Sequence, residues 1–172
     1  MIVSALDSAK SSSKIEAQQL LLFQRHLSYL ASASPYYREL FRQSGFNAEN
    51  FRSWSDLSTL PLTGKKELTE RNPDFLAVPQ EDVIDVCQTS GITGAPVTIW
   101  QTEGDLQRLA NNEQQAFMAA GIGATDRVLI GAALDRVFMA GLAFFLGFRP
   151  NGGAAIRGGA GGPALVAELI FQ

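Results

Sequence analysis

The chain holds one cysteine and one histidine in 172 residues, and no lysine follows Lys66. A single cysteine excludes an internal disulfide framework and fits a reducing compartment. One cysteine and one histidine cannot build a Cys/His zinc site of the usual kind. Any Ser-His-Asp triad would have to be built on His26 alone. Positive charge is not in excess either: 14 Lys+Arg against 17 Asp+Glu leave a net charge of −3. Nothing therefore favours nucleic acid or an anionic membrane as a partner.

Long apolar runs are also missing. The most apolar stretch, Val137 to Phe148, is 12 residues long and bracketed by Arg136 and Arg149. That is too short to span a bilayer and is expected to form a buried helix. Met1 to Ser13 carries only Lys10 as a positive charge and no sustained apolar stretch, so it does not fit a secretory signal. A cytoplasmic location is expected. A hydrophobic fraction of 46% with 18% charge describes a folded globular chain.

Glycine divides the sequence. Only Gly45 and Gly64 lie in the first 90 residues, and the other 14 of the 16 fall in the last 82. Residues 1–80 read as a helical lead and 81–172 as a glycine-punctuated α/β portion. In the lead, Ala17, Leu20, Phe23, Leu27 and Leu30 recur at helical steps and form one apolar face. Ser34-Pro35 breaks that helix, and Pro35 suits the first turn of the next, which runs from Tyr36 to Gln43 and stops at Gly45. Short helices are expected around Ser55 to Thr59 and Gly64 to Arg71.

From Asp82 the period changes. Val83 to Gln88 predicts a strand, Val97 to Trp100 a returning strand, and Thr102 with Asp105 a capping box that opens a helix to about Ala120. Arg127 to Ala133 predicts a buried strand, Val137 to Phe148 a helix, and Ala154 to Arg157 a last strand. Pro163 opens a final helix with no stop signal before Gln172. Taken with a sheet of few strands, this pattern leads us to expect an incomplete domain, whose open sheet edge would favour self-association.

The segment between the first two strands carries the chemistry: Thr89-Ser90-Gly91-Ile92-Thr93-Gly94-Ala95-Pro96. Gly91 and Gly94 permit positive φ and close backbone approach, turning N–H groups inward as an anion nest. Thr89, Ser90 and Thr93 add hydroxyl donors with little bulk. A polyphosphate needs such short, preorganised donors. The loop is not a Walker A motif: the only Gly-Lys is Gly64-Lys65, followed by Lys66, with Thr59 in place of the first glycine. Gly121-Ile122-Gly123 follows a helix and has Asp126 in the third glycine position, so no dinucleotide fingerprint is present.

This loop resembles that of the adenylate-forming enzyme superfamily, in the phenylacetate–coenzyme A ligase-like branch. Five fixed positions, Ser-Gly-x-Thr-Gly-x-Pro, would coincide by chance in about one chain in ten thousand of this length. Ser34-Pro35-Tyr36-Tyr37 resembles the branch's Ser-Pro-Phe/Tyr-Tyr segment, and Pro61-Leu62-Thr63-Gly64-Lys65 its Pro-x-Thr-x-Lys segment. Asp126-Arg127-Val128 falls at its Asp-x-Val strand entry. Leu134 to Gly141 falls at a glycine- and aromatic-containing helix start near the acyl pocket.

The resemblance implies an α/β fold, a helical N-terminal lead followed by part of the layered large domain. It implies a two-step ligase that activates an organic carboxylic acid, aryl acids among the candidates, with ATP as acyl-adenylate and passes it to coenzyme A. Mg²⁺ would travel with the ATP. Thr89, Ser90, Gly91, Thr93 and Gly94 would hold its phosphates, and Phe138, Met139 and Gly141 would border the acid's pocket. No metal site within the protein is implied. Ile92 stands where the family usually has Ser or Thr, and Ala95 where many members have Lys or Arg. The family's Tyr-Gly-x-Thr-Glu segment, ribose-binding Asp and late catalytic Lys have no counterpart here. The chain then corresponds to an N-terminal portion, inactive by itself. The alternative is a shortened relative that binds a nucleotide or a partner without catalysis.

Other residues carry plainer expectations. Cys87 is expected as a buried strand residue, His26 as a solvated one, and Lys65 and Lys66 as an exposed helix start. Asp135 is expected first of all to cap the helix that follows it, with lining a pocket as the alternative. Glu113 lies beside the Leu106, Leu109, Ala110 and Phe117 stripe, and a buried pair with an arginine is expected there. Phe138, Met139, Phe144 and Phe145 can serve the core as well as an acyl pocket.

Overall fold

A computed structural model describes residues 12–92 and 94–171. The chain divides into two compact units, residues 1–78 and 79–172.

In the first unit, α1 (Ser12–Ala33) turns Leu20, Phe23, Leu27 and Leu30 onto the core, as its periodicity predicts. Ala17 lies beyond that core and is exposed. Ser34 ends the helix and is itself fully buried. Its hydroxyl accepts from the Tyr37 N–H (3.4 Å) and donates to the Asp74 carbonyl (3.1 Å). Pro35 then occupies the first turn of α2 (Pro35–Ser44), whose missing N–H costs nothing there. Tyr36 stacks on Phe75 at 3.9 Å, with the Arg71 guanidinium 5.1 Å from its ring centre. The Ser-Pro-Tyr-Tyr segment is thus the joint between α2 and a 3₁₀ turn at Asn72–Phe75.

Gly45 stops α2 in a left-handed conformation, φ 70°. 3₁₀ turns follow at Ala48–Asn50 and Trp54–Thr59, bringing Ala48 and Trp54 to the core beside α1, and then the helix α3 (Lys65–Glu70), which packs on the Asn72–Phe75 turn. Leu27, Phe41, Ala48 and Phe51 form the buried centre, with Phe23 and Trp54 against it. Phe23 meets Phe51 edge-on at 5.2 Å and Trp54 at 5.5 Å. Each fully buried ring removes apolar surface worth roughly 1.5–3 kcal/mol.

The second unit opens with an antiparallel pair, β1 (Asp85–Gln88) and β2 (Thr98–Gln101), in the register Asp85↔Gln101 to Gln88↔Thr98. Helix α4 (Glu103–Ala119) follows at once. Next come β3 (Arg127–Ile130), α5 (Met139–Phe148), β4 (Ala154–Arg157) and α6 (Pro163–Ile170). β4 pairs parallel with β3, from Arg127↔Ala154 to Ile130↔Arg157, so α5 is the crossover between them. The mixed helix-and-strand pattern agrees with the α/β class read from the sequence.

Helix α5 packs on α4 through a glycine notch: a Cβ at Gly147 would lie 2.3 Å from the Glu113 Cβ. Phe148 is completely buried and meets Phe117 edge-on at 5.3 Å. The apolar run is only partly enclosed, since Phe144 remains 38% exposed. α5 also begins later than its hydrophobicity suggests, at Met139. Among the described residues no helix is long and apolar enough to cross a membrane.

Two carboxylates hold helix starts, and both titrate low. The Thr102 N–H donates to Asp105 Oδ2 at 2.8 Å and the Asp105 N–H returns to Thr102 Oγ1 at 3.3 Å, the reciprocal box expected. Burial pushes the Asp105 carboxyl up, but the Thr102 N–H and hydroxyl and the Arg108 guanidinium outweigh it and hold it below its ordinary value. Asp56 is lowered by the N–H groups of Arg52 and Ser53, each 2.8 Å away. Because both acids bind protons less readily when folded, their stabilisation is present above the unfolded value, about pH 4. It disappears as pH falls through their lower folded values. Urea midpoints followed by circular dichroism should therefore hold level down to about pH 5 and then drop. Asp105→Asn should show a smaller drop than the natural chain; an equal one would remove this box from the acid response.

Candidate functional site

The glycine-rich loop joins β1 to β2 as a hairpin with a closed base. Thr89 donates its N–H to the Val97 carbonyl (3.0 Å), and Val97 donates its N–H to Thr89 Oγ1 (2.9 Å). One lone pair of the Thr89 hydroxyl thus holds the loop shut. Above that base Gly91 is left-handed at φ 65° and Gly94 lies at φ 148°. The Gly94 N–H returns to the Gly91 carbonyl at 3.2 Å. A side chain at Gly91 would stand 3.2 Å from the Gly94 carbonyl oxygen and 3.3 Å from Pro96 Cδ, so the left-handed conformation favours glycine and the space beside it is tight. Ser90 and Ile92 are exposed. Among the described residues no acceptor meets the N–H groups of Ser90, Gly91 or Ile92. Thr93 lies outside the described residues.

The loop base is fastened to the segment that precedes α5. The Gln88 N–H donates to the Val137 carbonyl at 2.9 Å. That carbonyl is presented by an uncommon backbone: Arg136 and Val137 both adopt left-handed conformations, φ 58° and 54°. For a β-branched residue this costs about 1–2 kcal/mol, which surrounding contacts must offset. Met139 supplies one of them, with its sulfur 3.9 Å from Cys87 Sγ and 3.3 Å from Gln101 Nε2. Gln101 is 6% exposed, and its Oε1 has no partner among the described residues.

The three pocket candidates separate accordingly. Phe138 is 49% exposed at the helix start, while Met139 turns inward against Cys87. Gly141 is buried for close approach: a Cβ there would fall 2.2 Å from the Ala133 carbonyl oxygen. Cys87 is buried as expected, and burial followed by the Asp85 carboxylate pushes its thiol up, away from a nucleophilic thiolate.

Two expectations do not hold. Asp135 does not cap α5; the N-cap position is Phe138, and the Asp135 side chain is 76% exposed. The left-handed turn at Arg136 and Val137 prevents the helix from starting directly after Asp135. Glu113 has no arginine within ion-pair distance among the described residues. It is half-buried over the Gly147 notch, so its carboxylate keeps part of its hydration without a partner.

At the carboxyl ends of β3 and β4 lies a cleft of which the sequence pointed only to the side of Leu134, Asp135 and Arg136, and not to the residues that end β4. It is an open space of about 650 Å³, lined by Ala133, Leu134, Asp135 and Arg136 after β3 and by Arg157, Gly159 and Ala160 at the end of β4. Open α/β sheets take ligands at this edge. The available signal was one arginine closing the second apolar strand pattern, Arg157, and another in the segment between the first strand and α5, Arg136. Among the described residues no group of three or more His, Cys, Asp or Glu could hold a metal ion.

Comparison with known proteins gives concordant relatives. The chain is 32% identical over 137 residues to the phenylacetate-coenzyme A ligase of Escherichia coli (strain K12), covering 79% of this chain and 31% of that protein. It is 34% identical over 109 residues to the phenylacetate-coenzyme A ligase of Thermus thermophilus, covering 63% of this chain and 24% of that one. No family model matches. A crystal structure of 2-hydroxyisobutyryl-CoA ligase, in an open conformation with 2-HIB-AMP and CoA, superposes with a TM-score of 0.81 at 24% identity. That match covers 93% of this chain and 38% of the other and shows a shared fold. The chain therefore spans about a third or less of the length of the curated relatives quoted.

Proposed function

Since the chain belongs to the adenylate-forming superfamily, within its phenylacetate–coenzyme A ligase-like branch, we propose that it forms part of an AMP-forming acyl-CoA ligase. In that reaction the acid's carboxylate oxygen attacks the α-phosphorus of ATP, forming the acyl-adenylate and releasing pyrophosphate. The thiol of coenzyme A then takes the acyl group and AMP leaves. Both units belong, in this reading, to one larger domain, and the chain alone does not turn over. Nothing between Lys66 and Gln172 offers the lysine ammonium that the family uses late in the reaction.

The loop's part is to bind the departing β,γ-phosphates. The observation that carries this is the hairpin itself: two positive-φ glycines, exposed hydroxyls and a run of N–H groups with no acceptor among the described residues. Ser90, Gly91 and Ile92 supply N–H donors, Gly94 closes the turn that presents them by giving its own N–H to the Gly91 carbonyl, Thr93 adds a hydroxyl, and Thr89 shapes the base while retaining its own O–H. Ala95 brings no cation, so backbone dipoles and the Mg²⁺ carried by the nucleotide neutralise the charge. Phe138 borders the acid from the start of α5, with Met139 and Gly141 fixing that helix behind it.

Calorimetric titration of the 172-residue chain with magnesium pyrophosphate and with MgATP tests the reading. Ser90→Ala combined with Thr93→Ala should weaken binding about tenfold, the loss of two modest hydrogen bonds. Unchanged affinity in the double variant would remove the loop from phosphate binding.

A further inference from the structure

The cleft at the ends of β3 and β4 carries charge that the loop does not use. Arg136 and Arg157 both line it, against a single carboxylate, Asp135. That carboxylate pairs with Arg136, its Oδ2 3.9 Å from Arg136 Nε without a direct hydrogen bond, and the cleft keeps a net positive charge through Arg157. Arg157 has no carboxylate within ion-pair distance among the described residues, and its guanidinium rests 5.4 Å from the Phe145 ring centre. Stacking on a ring face fixes the plane of a guanidinium while leaving its N–H edges free to donate. Arg136 lines the cleft from a left-handed residue, and its side chain is 89% exposed and open to a ligand on the side away from Asp135. Beside the two cations the walls are apolar, from Ala133, Leu134 and Ala160.

One guanidinium without a carboxylate, Arg157, and a second only loosely paired with Asp135, next to an apolar wall, suit a ligand with a hydrocarbon body and an oxyanion at one end. The cleft also adjoins the segment whose Val137 carbonyl ties it to the base of the phosphate loop. Resting on the ligase reading above, we infer that Arg136 and Arg157 bind a second, non-reacting oxyanion on the acid substrate, so that the acid is a dianion and not a purely apolar acid. Phosphate oxygens of a nucleotide would offer the same acceptor chemistry, and the test separates the two sources.

The 172-residue chain is titrated calorimetrically with glutarate, with pentanoate as the monocarboxylate of equal length, and with magnesium pyrophosphate. Glutarate should bind about tenfold tighter than pentanoate, and Arg157→Gln and Arg136→Gly should each abolish most of that preference. Arg157→Lys should restore part of it. Arg149→Gln is the control, since Arg149 also faces Phe145, at 5.7 Å, but does not line the cleft. Its preference should stay at the natural value while circular dichroism verifies that every variant folds.

Equal binding of glutarate and pentanoate, or no binding of either, overturns the inference. So does a loss of pyrophosphate affinity in Arg157→Gln that Ser90→Ala does not produce, because the cleft would then be the phosphate seat. Failure of the ligase reading looks different: the glutarate preference and its loss in Arg157→Gln persist, while pyrophosphate is not bound, or is bound without regard to Ser90, Thr93 and Arg157.

Discussion

Phe148→Ala should lower the stability of the second unit by about 3–5 kcal/mol, the cost of emptying a well-packed aromatic site. Phe148 has no exposed surface, and its environment is rigid on several sides. Phe117 of α4 meets it edge-on, and the backbone at Gly153 passes so close that a Cβ there would lie 2.5 Å from Phe148 Cζ. Neither neighbour can move in without breaking a contact of its own, so the cavity stays open. Urea unfolding followed by circular dichroism measures the loss. Phe171→Ala, at 88% exposure, should change stability by less than about 0.5 kcal/mol in the same experiment. Equal effects from the two would mean that the α4–α5 contact does not hold the unit together.

Gly141→Ala should reverse the usual sign of a helix substitution. Replacing glycine by alanine inside a helix normally stabilises by about 0.5–1 kcal/mol. At Gly141 the new methyl would lie 2.2 Å from the Ala133 carbonyl oxygen and 2.8 Å from that of Ala132. Backbone cannot swing aside as a flexible side chain can, so a net loss of about 1–3 kcal/mol is expected. Gly104→Ala in the first turn of α4 is the comparison, because the nearest atom there is 3.7 Å away; it should be neutral or stabilising. Gly141→Ala should also move the 132–136 segment and with it Arg136 in the cleft. A stabilising Gly141→Ala would contradict the close approach described for α5.

Much of the fold was legible because local chemistry decides it. Ser34-Pro35, Gly45 and the Thr102/Asp105 pair fix helix ends through contacts within a few residues, and those ends fall within about two residues of expectation. The β1–β2 hairpin was legible for the same reason: its two strands flank a glycine-rich turn. What stayed hidden depends on partners distant in sequence. Nothing local tells that Arg127–Ile130 pairs parallel with Ala154–Arg157, or that the intervening α5 needs glycine at 141 and 147 to approach two different neighbours. The delayed start of α5 escaped for an opposite reason. Arg136 and Val137 adopt a backbone that their own side chains disfavour, so propensity pointed to helix where the assembled structure imposes a turn. The misplaced cap at Asp135 follows from that single error. The cleft arginines were overlooked because an arginine at a strand end, or in the segment after a strand, is ordinary until the two are seen lining one cleft.

The division into two compact units has a spectroscopic consequence. The chain holds two tryptophans, and each unit contains one. Trp54 sits among Phe23 and Phe51 in the first unit, 5.5 and 6.3 Å from their ring centres. Trp100 lies in β2 of the second, opposite Val86. Each unit therefore carries its own indole emitter, and replacing either tryptophan by phenylalanine leaves a chain whose tryptophan fluorescence, excited beyond the tyrosine band, reports on the other unit alone.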